Sequence, residues 1–132
     1  MRPAEARSLF ASSKVAVLST INEDGTPHLV PITFAVTSAA ILTAVDEKPK
    51  STTALRRLAN IARDPRVTLL ADAYDDDWSK LWWARADGLA AITTEPPAGL
   101  TELVARYSQY QDRPPPGPFI EIAVHRWSGW SP

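Results

Sequence analysis

Lys48 and Lys50 stand directly ahead of a hydroxyl run, Ser51-Thr52-Thr53, which opens a helical pattern with Leu55, Leu58, Ala59 and Ala62 on one face. The first amides of a helix are free and carry positive potential, and a Ser or Thr there caps the turn. Two lysines at that point therefore make a candidate phosphate site that needs no glycine loop. The wider stretch has the same sign: Lys48, Lys50, Arg56, Arg57, Arg63 and Arg66 face one acid, Asp64. Taken alone, these residues equally describe a capped helix with solvated lysines.

Other chemistries lack their residues. The chain has no cysteine, which removes disulfides, thiolate metal sites and thiol nucleophiles. Two histidines, His28 and His125, are too few for most histidine-rich metal sites, and neither sits in a nucleophile motif. The five glycines are dispersed, so there is no dinucleotide fingerprint and no P-loop. Asp75-Asp76-Asp77 offers paired carboxylates, but in a polar stretch it reads first as a solvated turn. No catalytic residue and no metal ligand set emerges. A net charge of −1 gives no general attraction to nucleic acid. No run reaches the roughly 18–20 apolar residues of a membrane span, and the first residues lack the apolar stretch of a signal peptide. The expectation is one cytoplasmic domain covering residues 1–132. All five tryptophans, Trp78, Trp82, Trp83, Trp127 and Trp130, fall in the second half, as if to line a pocket or a subunit interface.

These residues need a frame to position them. Pro3 to Ser12 reads as a helix, and Val15 to Ile21 as a strand. Asn22-Glu23-Asp24-Gly25 carries a hairpin signal. A partner strand from His28 to Val36 contains Pro31, which suits an edge, and a third covers Ala40 to Val45. These three should form an antiparallel meander. After the basic helix, ended by Asp64-Pro65, Val67 to Ala73 is apolar enough to expect burial on both faces. Leu81 to Thr94 follows, with a bulge expected at Asp87-Gly88. A second helix opens at Pro96-Pro97 and aligns Leu100, Leu103, Val104 and Tyr107; the last strand runs from Phe119 through Trp127. The pattern predicts a mainly β (α+β) domain, a six-stranded antiparallel β-barrel with flanking helices.

The ordered segment from Val17-Leu18-Ser19-Thr20 through Asp24-Gly25-Thr26-Pro27-His28 to Pro31 resembles the opening hairpin of the pyridoxamine-phosphate-oxidase-like split-barrel flavoproteins. Lys50-Ser51, Leu58, Asn60-Ile61 and Asp64-Pro65-Arg66-Val67 match the later part of that pattern in order and spacing. Within that family, Asp75-Asp76-Asp77-Trp78 and Leu81-Trp82-Trp83-Ala84-Arg85-Ala86-Asp87-Gly88 are most similar to the actinobacterial deazaflavin-dependent branch.

The resemblance implies an FMN-binding split-barrel type of fold and coenzyme F420, an 8-hydroxy-5-deazaflavin, with FMN as the alternative. It implies Lys50 and Ser51, aided by Lys48 and Thr52, at the cofactor phosphate. Pro31, Ile32 and Thr33 would run along the ring edge, and Val45 beside the ribityl chain. Arg57 would attract an acidic cofactor tail. Trp78 and Trp83 would come from the partner of a homodimer, and Trp127 and Trp130 would close the substrate side. The implied activity is hydride transfer to a small unsaturated substrate; a non-catalytic F420 carrier would use the same site.

Overall fold

The computed structural model describes residues 1–38, 40–45 and 52–132, with side chains of the second helix described from Arg56 onward. Helix α1 (Pro3–Ser12) leads into β1 (Ala16–Ile21) and β2 (Pro27–Ile32). Two short strands, β3 (Ala35–Val36) and β4 (Ile41–Ala44), precede α2 (Thr52–Arg63) and β5 (Arg66–Ala73). A 3-10 turn (Trp78–Lys80) joins β5 to β6 (Trp82–Thr93); α3 (Leu100–Arg106), α4 (Ser108–Asp112) and β7 (Phe119–Trp130) complete the chain.

The strands form one antiparallel sheet of seven in the order β2-β1-β5-β6-β7-β4-β3. Its two rims, β2 and β3, are consecutive in the chain and separated only by Thr33 and Phe34. The sheet therefore curls on itself as a split barrel. The described residues form seven strands rather than the six expected, because the expected strand from His28 to Val36 is two strands. Its first part pairs with β1 and its last two residues pair with β4. The expected meander thus breaks at its middle strand, because that strand must cross from one rim to the other.

The β1–β2 hairpin turns where it was expected to. Gly25 has φ +86°, a conformation side chains rarely adopt, and its N–H donates to the Asn22 carbonyl at 2.8 Å. The bulge at Asp87/Gly88 also forms, and a Cβ on Gly88 would lie 2.4 Å from the Ala123 carbonyl oxygen. Strand β5, in contrast, alternates: Val67, Leu69 and Ala71 are buried, while Leu70 is 42% exposed. Burial on both faces is overturned because β5 is an antiparallel strand with one face on the core and no helix over the other. The expected second helix divides at Tyr107, whose extended φ −130°, ψ 121° separates α3 from α4.

Inside the curl lie Phe10, Leu18, Phe34, Leu69, Ile120 and Ile122, all fully buried, with α1 closing one end through Ala6 and Phe10. A smaller cluster, Leu42, Leu103, Tyr110 and Phe119, seats α3 and α4 against β4. Helix α2 is held by polar contacts as well. Asn60 is 3% exposed, and its amide donates at 3.0 Å both to Thr20 Oγ1 and to Asn22 Oδ1. Arg63 adds a bond to the Ile21 carbonyl.

Replacing Asn60 by Ala strips a partner from the Thr20 hydroxyl, itself 1% exposed. A loss of about 1–3 kcal/mol follows for a buried polar group left unpaired. Urea unfolding should show this as a lower midpoint with an unchanged m-value.

Candidate functional site

Among the described residues strand β2 has a single neighbour, β1, which leaves its other edge open to them. Pro31 has no N–H, which forces the bonded pairs of this ladder to be Ala16–Ile32, Leu18–Val30 and Thr20–His28. Pro27, Leu29 and Pro31 then turn their main-chain groups to the open edge, and Thr33 follows one residue beyond the last pair with its N–H unengaged. Two prolines in that set leave the N–H groups of Leu29 and Thr33 as its donors, with the Pro31 carbonyl between them. This composition resists edge-to-edge pairing yet keeps hydrogen-bonding groups for a flat polar partner.

Around this edge the expected site residues divide. Pro31 is exposed, Ile32 points into the core, and Thr33 is half-buried with its hydroxyl 2.9 Å from Tyr110 Oη. Val45, 2% exposed, follows β4 and donates its N–H to the Pro118 carbonyl at 3.0 Å. Lys48, Lys50 and Ser51 lie outside the described residues, as does the side chain of Thr52, the first residue of α2. Arg57 is half-buried, and Arg56 is exposed beside it. Both cations bear on His28 of β2. Burial first, then the charges of Arg56 and Arg57, hold the His28 imidazole below its ordinary value. The positive face of α2 and the start of β2 are therefore neighbours in space.

A cavity of about 630 Å³ opens between α2 and the β1–β2 turn, where Asn22, Asp24, Arg56, Asn60 and Arg63 meet. Arg63 is tied to Ile21, and Asp24 accepts from the Thr26 N–H and hydroxyl, which hold its carboxyl below the usual range.

The tryptophans separate by face. Trp83 and Trp130 are register partners on the outer face, 39% and 46% exposed. Trp78 stands on the 3-10 turn at 68% exposed. Trp127 lies on the inner side, edge-on to Phe10 at 5.3 Å between ring centres. Trp127 and Trp130 are therefore not brought together. The carboxylates of the neighbouring turn are engaged locally: Asp75 accepts from the Asp77 N–H, and Asp77 accepts from the N–H and hydroxyl of Ser79. On the same outer face as Trp83, Arg85 forks onto Asp87, which also accepts from Thr68 Oγ1 at 2.8 Å. Burial alone would raise the Asp87 carboxyl, but the bonds from Arg85 and Thr68 bring it below the usual range.

Sequence pattern does not single out Tyr110 or Thr43, and Tyr107 reads there only as one residue of a helical stripe. Tyr107 Oη accepts from the Phe34 N–H at 3.0 Å, and Thr43 Oγ1 donates to the Thr33 carbonyl at 2.7 Å. The spacing of two tyrosines in the polar run Tyr107-Ser108-Gln109-Tyr110 was the available signal.

His28 gives this site a pH dependence. Its folded value lies below the 6.5 of the unfolded chain, so on acidification the unfolded state takes the proton first. Stability is complete above about pH 6.5 and falls as pH drops through the folded value. His28→Gln should flatten this slope between about pH 7 and 5, read from urea midpoints at each pH.

With that geometry, comparison with solved structures is informative. The conserved hypothetical protein Rv2991 from Mycobacterium tuberculosis is 28% identical, with a TM-score of 0.76 over 99% of this chain and 85% of that one. A FAD-binding protein from Mesorhizobium loti is 18% identical, with a TM-score of 0.74 over 98% and 92%. An F420 reductase is 22% identical, with a TM-score of 0.65 over 92% and 94%. The latter two share the fold. The family model described as pyridoxamine 5'-phosphate oxidase matches residues 3–131. Its match runs from α1 to the last residue but one, across the open edge of β2 and the basic helix, and so the chain belongs to the pyridoxamine 5'-phosphate oxidase family.

Proposed function

We propose that this chain binds coenzyme F420 along the open edge of β2 and the basic face of α2, and acts as an oxidoreductase on a small unsaturated substrate. The observation that carries this reading is the edge itself. Leu29 and Thr33 turn N–H groups outward on either side of the Pro31 carbonyl, beside a helix that presents Arg56 and Arg57. A planar, polar-edged ring with an anionic tail fits such a donor-acceptor-donor row next to positive charge. When bound and reduced, the deazaflavin supplies a hydride at its C5 carbon.

The chain's own residues bind and orient. Pro31, Ile32 and Thr33 supply the edge, and Val45 closes the far end of β4. Lys48, Lys50, Ser51 and Thr52 supply charge and hydroxyls for a phosphate, and Arg57 draws the acidic tail. No protein nucleophile is required by this role, which is one of orientation and exclusion of water.

The same reading includes a homodimer. The outer sheet face presents Val17 (38% exposed), Leu29 (63%), Leu70 (42%), Trp83 and Trp130. Val17 and Leu70 are register partners at its centre. A second copy seated there would bring its Trp78 and Trp83 toward the cofactor and cover the apolar residues. Trp130, beside Trp83, would then stand on the substrate side, whereas half-buried Trp127 packs edge-on to Phe10 on the inner side and would meet a substrate only from there.

Titration of tryptophan emission tests the cofactor. F420 should quench with micromolar affinity and FMN should bind more weakly; tight, preferential FMN binding would move the assignment to a flavin enzyme of the same fold. Lys50→Ala should weaken F420 binding by about 10- to 150-fold, from roughly 1.5–3 kcal/mol for a charge-assisted contact. Arg57→Ala should cost less, and its loss should fade with salt. Binding without turnover on enones and quinones would indicate a carrier. Leu70→Arg should convert a sedimenting dimer to monomer and weaken cofactor binding with it; a wild-type monomer at micromolar concentration would remove the shared site.

A further inference from the structure

We propose that Tyr107 and Tyr110 are positioning residues for the bound cofactor: they hold the break between β2 and β3 so that the Thr33 N–H is presented at the open edge. The inference rests on the cofactor reading above and adds two residues to it, both from the α3–α4 segment.

The break at Thr33 and Phe34 has four main-chain polar groups outside any ladder. Three are engaged. The Thr33 carbonyl accepts from Thr43 Oγ1 at 2.7 Å. The Phe34 N–H donates to Tyr107 Oη at 3.0 Å, and the Phe34 carbonyl lies 3.0 Å from the same hydroxyl. Tyr107 Oη is also 2.9 Å from the Lys14 carbonyl, just ahead of β1. One hydroxyl proton serves one of these two carbonyls at a time, while the oxygen accepts from Phe34. The fourth group, the Thr33 N–H, meets no acceptor among the described residues; it lies one residue beyond Ile32, the last register pair of the β1–β2 ladder, and continued alternation would turn it to the open edge.

Tyr110 sets the remaining degree of freedom. Its hydroxyl lies 2.9 Å from Thr33 Oγ1, fixing the rotamer of the residue whose N–H is left for a ligand. Tyr110 is 8% exposed, and the two tyrosine rings pack edge to face at 5.6 Å. Arg106, donating to the Ala11 and Ser13 carbonyls, places its guanidinium 5.0 Å from the Phe34 ring and steadies the same assembly. Simple packing would require the rings. The geometry uses the hydroxyls, since each of the two reaches one of the residues that follow β2.

The test is a double-mutant cycle on the full chain, because it isolates the pair. Wild type, Tyr110→Phe, Thr33→Val and the double variant are titrated with F420 and with FMN by tryptophan quenching, and melted in parallel. Phenylalanine keeps the ring, so loss of the core contact is avoided. Each single change should raise the dissociation constant for the preferred cofactor about five- to ten-fold, as for one neutral hydrogen bond. The double variant should lose no more than either single, and Thr33→Ser should stay within about twofold of wild type. The absorption band of bound cofactor should shift toward that of free cofactor in Tyr110→Phe. Tyr107→Phe should in addition speed hydrogen exchange at the Phe34 amide. Wild-type affinity in both singles, or a double loss equal to the product of the two, overturns the role of the tyrosines and leaves the cofactor reading standing. A wild-type chain that binds neither cofactor overturns both.

Discussion

The main chain at Thr33 and Phe34 leaves one ladder and enters another, and the closure of the sheet depends on how its polar groups are satisfied there. A buried N–H or carbonyl without a partner costs about 1–3 kcal/mol, so a strand cannot simply stop inside a core. Phe34 is fully buried, and Tyr107 supplies both of its main-chain partners. Without that hydroxyl the Phe34 N–H would lose its partner inside the core. The same hydroxyl reaches Lys14, so the break, the entry to β1 and the end of α3 form one assembly.

Charge is distributed with comparable economy. The chain is nearly neutral, yet α2 gathers Arg56, Arg57 and Arg63, while the β5–β6 turn gathers Asp75, Asp76 and Asp77. Among the described acids, Asp64 is tied to Arg66 by a fork of 2.7 and 3.0 Å, which holds its carboxyl at about 2. Asp75 and Asp77 accept from the backbone of their own turn. The acids thus organise turns, whereas Arg56 and Arg57 bear on the β2 side of the helix, where burial and then their charge hold the His28 imidazole below its ordinary value. A local positive field survives in a protein whose total charge predicts none.

Membership in the pyridoxamine 5'-phosphate oxidase family establishes a frame rather than a substrate, since solved structures of this fold include proteins described as binding FAD and as an F420 reductase. In this chain the rim of the sheet is marked by the donors left on β2, the charge on α2 and the aromatic residues on the outer face. Here that rim alternates proline with donor residues, and its outer face carries Trp83 beside Trp130.

Much of this was determined by local sequence. Asp24-Gly25 dictated the hairpin because only glycine takes φ +86° without strain, and Pro31 marked an edge because it cannot donate to a central ladder. Asp64-Pro65 ended α2, and Asp87-Gly88 placed the bulge, since both act through the backbone of a few consecutive residues. Tertiary structure decided the rest. The largely apolar run from His28 to Val36 does not by itself mark the crossing from rim to rim, because the groups that satisfy the break, Tyr107, Tyr110 and Thr43, are ten to seventy-seven residues away. The apolar run of β5 could not reveal that its outer face lacks a covering helix. Trp127 and Trp130 share a strand and a residue type, yet the pleat beyond the bulge sends one against Phe10 and the other beside Trp83. Periodicity reports which residues share a face; only the closed sheet determines what that face meets.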